Sequence, residues 1–296
     1  MAKADIAALL AVAAALMIGI GDVLEQQSAQ QVTDKPVGTL ALFGRLLRDR
    51  RWWTGTLVAG AGFGLQAAAL GLGSVVLVQA LLVTSLLFAL VINAKVNHRR
   101  ITRWQGIWAA LLAAAVAVVV TVGNPQAGNP RGSFRTWAVV AVVMGTALIL
   151  CAIGARVFSS SVRALLLGVM SGSLWGLFSV LTKGVIDQLG RGIPTLLRMP
   201  ELYVWAVLAI AATALEQSAF RAGPLTASLP AVTISEPIVG SVLGVTVLGE
   251  TLNTNHIGLI AIGVSVGVMI AATVALARSQ AAPAIDERPR PTSKIN

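Results

Sequence analysis

The chain has 296 residues, 56% hydrophobic and only 11% charged, with a mean hydropathy of +0.82. Soluble domains carry about 25% charged residues, so a soluble fold is excluded as the leading idea. The formal net charge of +10 fits the Lys/Arg excess of cytoplasmic loops in a membrane protein; nucleic acid is excluded as a partner, because binding it needs a basic face on a water-exposed domain.

A helix crosses the hydrocarbon with about 20 mostly apolar residues. Nine stretches qualify, at about 5–25, 52–72, 74–93, 104–122, 136–155, 162–183, 201–219, 225–249 and 255–277. The expected fold class is therefore all-α integral membrane. Residues 1–278 form a single transmembrane domain, and residues 279–296, rich in Pro and charge, a disordered cytoplasmic tail.

In chain order, span 1 follows Lys3 as a signal peptide would. Asp5 in its n-region and the later recurrence of its polar end, Gly21–Gln27, argue that it is retained. Asp22 and Glu25 lie three apart on one helix face, and Gln26 completes that face. After span 1, Pro36–Gly44 is too short to span; whether residues 36–50 form a re-entrant or a tenth helix stays open. Span 2 carries Gln66 more than a turn inside its end, with Gly60 and Gly64 on the same helix. Cys151 lies in span 5, and His98 and His256 lie in polar connections, so neither a disulfide nor a thiolate metal cluster is available.

Span 6 holds Gly168, Gly172 and Gly176, the mid-span Trp175, and then Ser179, Thr182 and Lys183. Span 7 holds Glu216 and Gln217 near its end. Span 8 places Glu236 and Pro237 near its middle, within a small or polar stripe of Thr226, Pro230, Thr233, Pro237, Gly240 and Gly244. Glycines at four-residue spacing, including Gly60/Gly64 and Gly263/Gly267, are expected to let helices approach closely. Trp52, Trp53, Trp104 and Trp137 sit at span ends, as an aromatic belt requires.

An ionisable side chain at the centre of the hydrocarbon costs about 2.5–3.5 kcal/mol on insertion scales, so those inside spans are candidates for function. Glu236 stands first, because Pro237 withholds a backbone donor and frees a carbonyl one turn back. A carboxylate beside a broken helix suits a cation or proton site. Asp22, Glu25, Gln26, Gln66, Ser179, Lys183, Glu216, Gln217 and Trp175 complete the expected pathway. Orientation follows from the basic residues. Sixteen fall on the side of Lys35–Arg51, Lys95–Arg103, Arg156, Arg163, Arg221 and Arg278–Lys294, and six on the side of Lys3, Arg131, Arg135, Lys183, Arg191 and Arg198. The first side is expected in the cytoplasm, with the N-terminus outside and the C-terminus inside a plasma (inner) membrane.

The chain also repeats internally. At an offset of 151, Gln66 falls on Gln217, Ala80 on Ala231, Val91 on Val242 and Val96 on Val247, with the loop ends Arg99 and Glu250 coinciding. At an offset of 157, Gly19 falls on Gly176 and Val23-Leu24 on Val180-Leu181. Spans 1–4 (about 5–122) thus pair with spans 6–9 (about 162–277), span 5 (about 136–155) being the connector. Five crossings separate the partners, so the repeats are inverted, as in secondary transporters.

Ser235-Glu236-Pro237, then Leu248-Gly249-Glu250-Thr251-Leu252 and His256-Ile257-Gly258, resemble the end of an EamA-type repeat of the drug/metabolite transporter superfamily. Trp52-Trp53-Thr54-Gly55, Leu77-Val78-Gln79-Ala80-Leu81 and the nine-span count look like the NIPA-type magnesium-transporter branch. The resemblance implies a secondary transporter that moves a small molecule or ion by alternating access. A NIPA-type divalent-cation transporter is the alternative, and a non-transporting membrane scaffold the second. The expected partners are a small-molecule or cation substrate, the bilayer and, as one option, a second copy in a homodimer. No cofactor is expected. Neither is enzymatic activity, since there is no G-x-x-x-x-G-K-[ST], H-E-x-x-H or G-x-S-x-G motif.

Overall fold

The computed structural model describes residues 3–32, 50–96 and 100–281. The 36–49 stretch, His98, Arg99 and the tail from 282 lie outside the described residues, as do the side chains of Glu25 and Gln26. The helices are α1 (Lys3–Val32), α2 (Arg50–Leu72), α3 (Val75–Leu82), α4 (Ser85–Val96), α5 (Arg103–Thr121), α6 (Phe134–Val157), α7 (Ser160–Leu189), α8 (Ile193–Leu197), α9 (Pro200–Ala222), α10 (Leu225–Leu248) and α11 (His256–Ala281). Two-residue strands β1 (Pro125–Gln126) and β2 (Thr251–Leu252) pair antiparallel.

Eight helical stretches among the described residues are long and apolar enough to cross a membrane; the chain is an all-α, multi-pass membrane protein. Helix is the default here because lipid offers backbone N–H and C=O groups no partner. One of the eight stretches, Val75–Val96, is in fact two helices, α3 and α4, meeting at Val83–Thr84. In α2 the apolar part is shorter, Leu57–Leu72. Ends are set locally: Thr102 and Gln105 form a reciprocal capping box on α5, and Ser133 caps α6 by accepting from Thr136 N.

α7 is the central helix, packed on α10, α9, α2 and α6. Its glycines make that possible. A Cβ at Gly168 would meet Ser228 O at 2.9 Å, one at Gly172 would meet Val232 O at 2.5 Å, and one at Gly176 would meet Glu236 O at 2.7 Å. These glycines form one α7 ridge against α10, the close approach expected of them. Gly60, Gly64, Gly263 and Gly267 have nothing within 4 Å of a built Cβ, which corrects the packing expected of them within the chain. The reason on α2 is angular. Gly62 faces Met17 and Ile18 of α1, and residues two positions away point to the far side of a helix.

The bundle has two distinct ends. At one, β1 and β2 pair and Asn129 N donates to Leu248 O at 2.7 Å. The same end gathers the α3 N-terminus, the C-terminal halves of α7 and α10, and the N-terminus of α9, where Met199 neighbours Gly184. At the other end a recess of about 580 Å³ opens between α7, α10 and α11, lined by Ser161, Leu165, Pro230, Ser235 and Arg278 among others.

Candidate functional site in the bundle interior

α10 carries Glu236 into the bundle as a partly buried residue. Pro230 and Pro237 lie inside this helix without interrupting it. The broken helix expected beside Glu236 is therefore corrected: α10 continues from Leu225 to Leu248 through both prolines, packed along α7. The interrupted span is the third, α3–α4. At its joint Thr84 N donates to Leu81 O and Leu87 N to Thr84 O, at 3.0 and 2.9 Å, so bonds close over three residues rather than four.

Glu236 lies within electrostatic reach of Glu216 on α9 and Asp22 on α1, and next to the amide of Gln79 on α3. Gln79 is 1% exposed, and its Nε2 closes no hydrogen bond of ordinary length and angle. Its contact with the carboxyl is proximity rather than a formed bond. α3 can come this close because Gly240 has no side chain; a Cβ there would meet Gln79 Nε2 at 3.0 Å. Glu216 accepts from Trp175 Nε1 at 3.1 Å. Trp175 belongs to an aromatic cluster with Phe63 and Phe178, and Phe178 stacks on Trp205 with centroids 4.9 Å apart. Trp205 Nε1 donates to Thr182 Oγ1 at 2.9 Å.

Gln66 is buried and points its Nε2 at Ser179 Oγ, 3.5 Å away, so α2 and α7 meet through two polar side chains that the sequence had singled out separately. Gln217 is not its counterpart in space. It is exposed on α9, because Glu216 beside it takes the inward direction and a neighbour about 100° round the helix cannot share it. Asp22 is exposed although it interacts with Glu236.

Lys183 does not join these acids. Its Nζ lies 2.7 Å from Glu250 Oε1, with side-chain exposures of 6% and 0%. Glu250 accepts twice more: Val75 N donates to Oε1 at 2.7 Å and Val76 N to Oε2 at 3.0 Å. These are the first two backbone donors of α3, orphans by construction. The third, Leu77 N, goes to Ser74 Oγ at 3.0 Å. A carboxylate there also meets the positive end of the helix dipole. Local geometry aims it: Gly249 turns at φ +67°, and Glu250 N donates back to Gly244 O at 3.1 Å. Gly244 itself leaves the room, since a Cβ would meet Glu250 Oε2 at 2.8 Å.

Sequence reasoning noticed Glu250 as a loop end and as part of the Leu248–Leu252 motif, but not as a buried partner for Lys183. The signal that could have found it was charge balance, since Lys183 is a lone cation within an apolar span and needs a buried partner. The aromatic cluster was found only at Trp175. Among the described residues no group of three or more His, Cys, Asp or Glu is placed to hold a metal ion.

The fold and site define a multi-pass membrane protein whose interior carries ionisable groups from several helices. No family model matches the chain, and no solved structure matches it. An uncharacterized protein of Corynebacterium glutamicum is 36% identical over 289 residues, which cover 96% of this chain and 98% of that protein. The chain belongs to the same family as that protein.

Proposed function

We propose that the protein is a secondary transporter of the drug/metabolite superfamily type, moving a small molecule or ion across a plasma membrane by alternating access. In this reading nine spans form two inverted repeats around the α6 connector, with the N-terminus outside and the C-terminus in the cytoplasm. The observation that carries it is Glu236, carried partly buried into an apolar bundle on one helix, with Glu216 and the exposed Asp22, from two other helices, each within its electrostatic reach. Ionisable groups gathered at membrane depth are costly and mark ion and substrate paths. The Trp175 ring bonded to Glu216, with Phe63 against it, adds an apolar wall suited to an organic substrate.

The magnesium reading needs hard oxygen ligands with retained waters, which Asp22, Glu25, Glu216 and Glu236 would have to supply, and among the described residues no three acids are gathered to hold an ion. Flux into proteoliposomes separates the readings, with magnesium, a panel of amino acids and cationic dyes offered in turn. Saturable uptake of one class supports transport and names the substrate. Folded, monodisperse protein that moves none of them, with no current, would leave the scaffold reading.

A further inference from the structure

We propose that Lys183 and Glu250, together with the amino end of α3, form the outer gate of this pathway, a latch that closes the strand-capped end of the bundle. The inference rests on the transport reading and deepens it.

The latch joins parts that an alternating-access protein must separate. α3 belongs to the first repeat, whereas Lys183 on α7 and Glu250 between α10 and α11 belong to the second. One carboxylate ties them, through Lys183 Nζ at 2.7 Å and the N–H groups of Val75 and Val76 at 2.7 and 3.0 Å. A buried ion pair is a poor device for stability alone, because desolvation offsets much of its attraction; its better use is to hold one arrangement against another. Here every other donor of the α3 first turn is already taken by Ser74, so releasing Glu250 frees specifically the face that the second repeat holds.

α3 is a short, separate segment. It is eight residues long and ends at Val83–Thr84, where three-residue bonds replace the α-helical ladder and Thr84 Oγ1 donates to Leu81 O at 2.6 Å. Kinks of this kind absorb the dihedral change of a hinge. One turn beyond Val75, the same short helix presents Gln79 to Glu236, its Nε2 unsatisfied. A ligand or ion that engages Glu236 thus meets the rigid turn whose other end is the latch. At the opposite end of the bundle the recess of about 580 Å³ reaches Ser235, the residue before Glu236. The Lys/Arg distribution puts that recess on the cytoplasmic side and the latch outside. The bundle is shut where the latch sits and open where it is absent.

The test is thiol accessibility in native-orientation and inverted membrane vesicles, using a membrane-impermeant maleimide and a Cys151→Ser background. Ser179→Cys reports on the region one turn below Lys183, and Ser235→Cys on the recess. With the latch intact, Ser179→Cys resists reagent from outside. Adding Glu250→Gln is expected to raise its labelling from outside about tenfold, while labelling of Ser235→Cys from inside falls. Lys183→Arg, which keeps the charge, is expected to stay near the starting rate. If Ser179→Cys stays protected in folded Glu250→Gln protein, the latch is overturned. It is overturned equally if labelling rises from both sides at both positions, which marks a loosened fold. If outer labelling rises while inner labelling stays constant, the latch stands as a barrier and alternating access fails instead.

Discussion

Glu250 holds three donors in a space sealed from water, and the cost of disturbing it follows from what remains behind. Breaking a buried pair by removing one partner costs about 3–5 kcal/mol, because a charge stays uncompensated. Glu250→Gln strands Lys183, whereas Lys183→Met leaves a carboxylate that keeps two backbone donors. Thermal unfolding in detergent should therefore show Glu250→Gln as the less stable of the two. The double variant Lys183→Met/Glu250→Gln should lie above Glu250→Gln alone; simple additivity would show that the two side chains are not coupled. Glu236 calls for a functional readout. If its carboxyl couples the transported species to a proton or cation, Glu236→Gln removes the pH or cation dependence of flux and leaves expression intact. An unchanged dependence would assign the coupling elsewhere.

Between elements, the α7–α10 contact tolerates little added volume. A Cβ at Gly172 would sit 2.5 Å from a carbonyl and 2.8 Å from Ser235 Cβ, neither of which is a flexible side-chain end. Gly172→Ala is expected to force the helices apart at a cost of about 1–3 kcal/mol, the usual range for overpacking. Gly263→Ala, with nothing within 4 Å, should leave the melting temperature near that of the parent. Gly249 is a different case, since its neighbourhood is open but its φ is +67°. Gly249→Ala should cost about 1–2 kcal/mol through left-handed backbone strain and displace Glu250 from α3. Its Ser179→Cys accessibility should then follow Glu250→Gln rather than the parent. The glycine spacing in the sequence identified these helices as close-packing candidates, yet only the angular position of each residue decided which glycines met a neighbour.

For the whole molecule, the test is topology. Sixteen basic residues against six lead to the proposal that the C-terminus lies in the cytoplasm. A C-terminal reporter that is active only in the cytoplasm should report strongly, and one that is active only outside should be silent; the reverse result would invert the sidedness of the latch. Most of the helical scaffold was legible beforehand, because a run of some twenty apolar residues has one solution in lipid. The kink at Val83–Thr84 was not, since Leu82, Val83, Thr84 and Ser85 contain no Pro or Gly to announce it. Glu236, Gln66, Ser179, Glu216 and Trp175 were legible as polar residues in apolar surroundings. Their pairings, Gln66 with Ser179 and Trp175 with Glu216, were not, because each joins residues more than forty positions apart.

By itself the sequence determined that this is a helical membrane protein and where its long helices run, since hydropathy and length are local properties that the bilayer reads directly. It also determined which ionisable groups stand inside the spans. Only the tertiary structure decided how those groups are divided. Lys183 and Glu250 neutralise each other at one end, while Glu236 keeps company with Glu216 and Gln79 and feels the exposed Asp22. Low-dielectric surroundings make a charge depend on the few atoms that touch it, and contacts between helices distant in sequence determine which atoms those are.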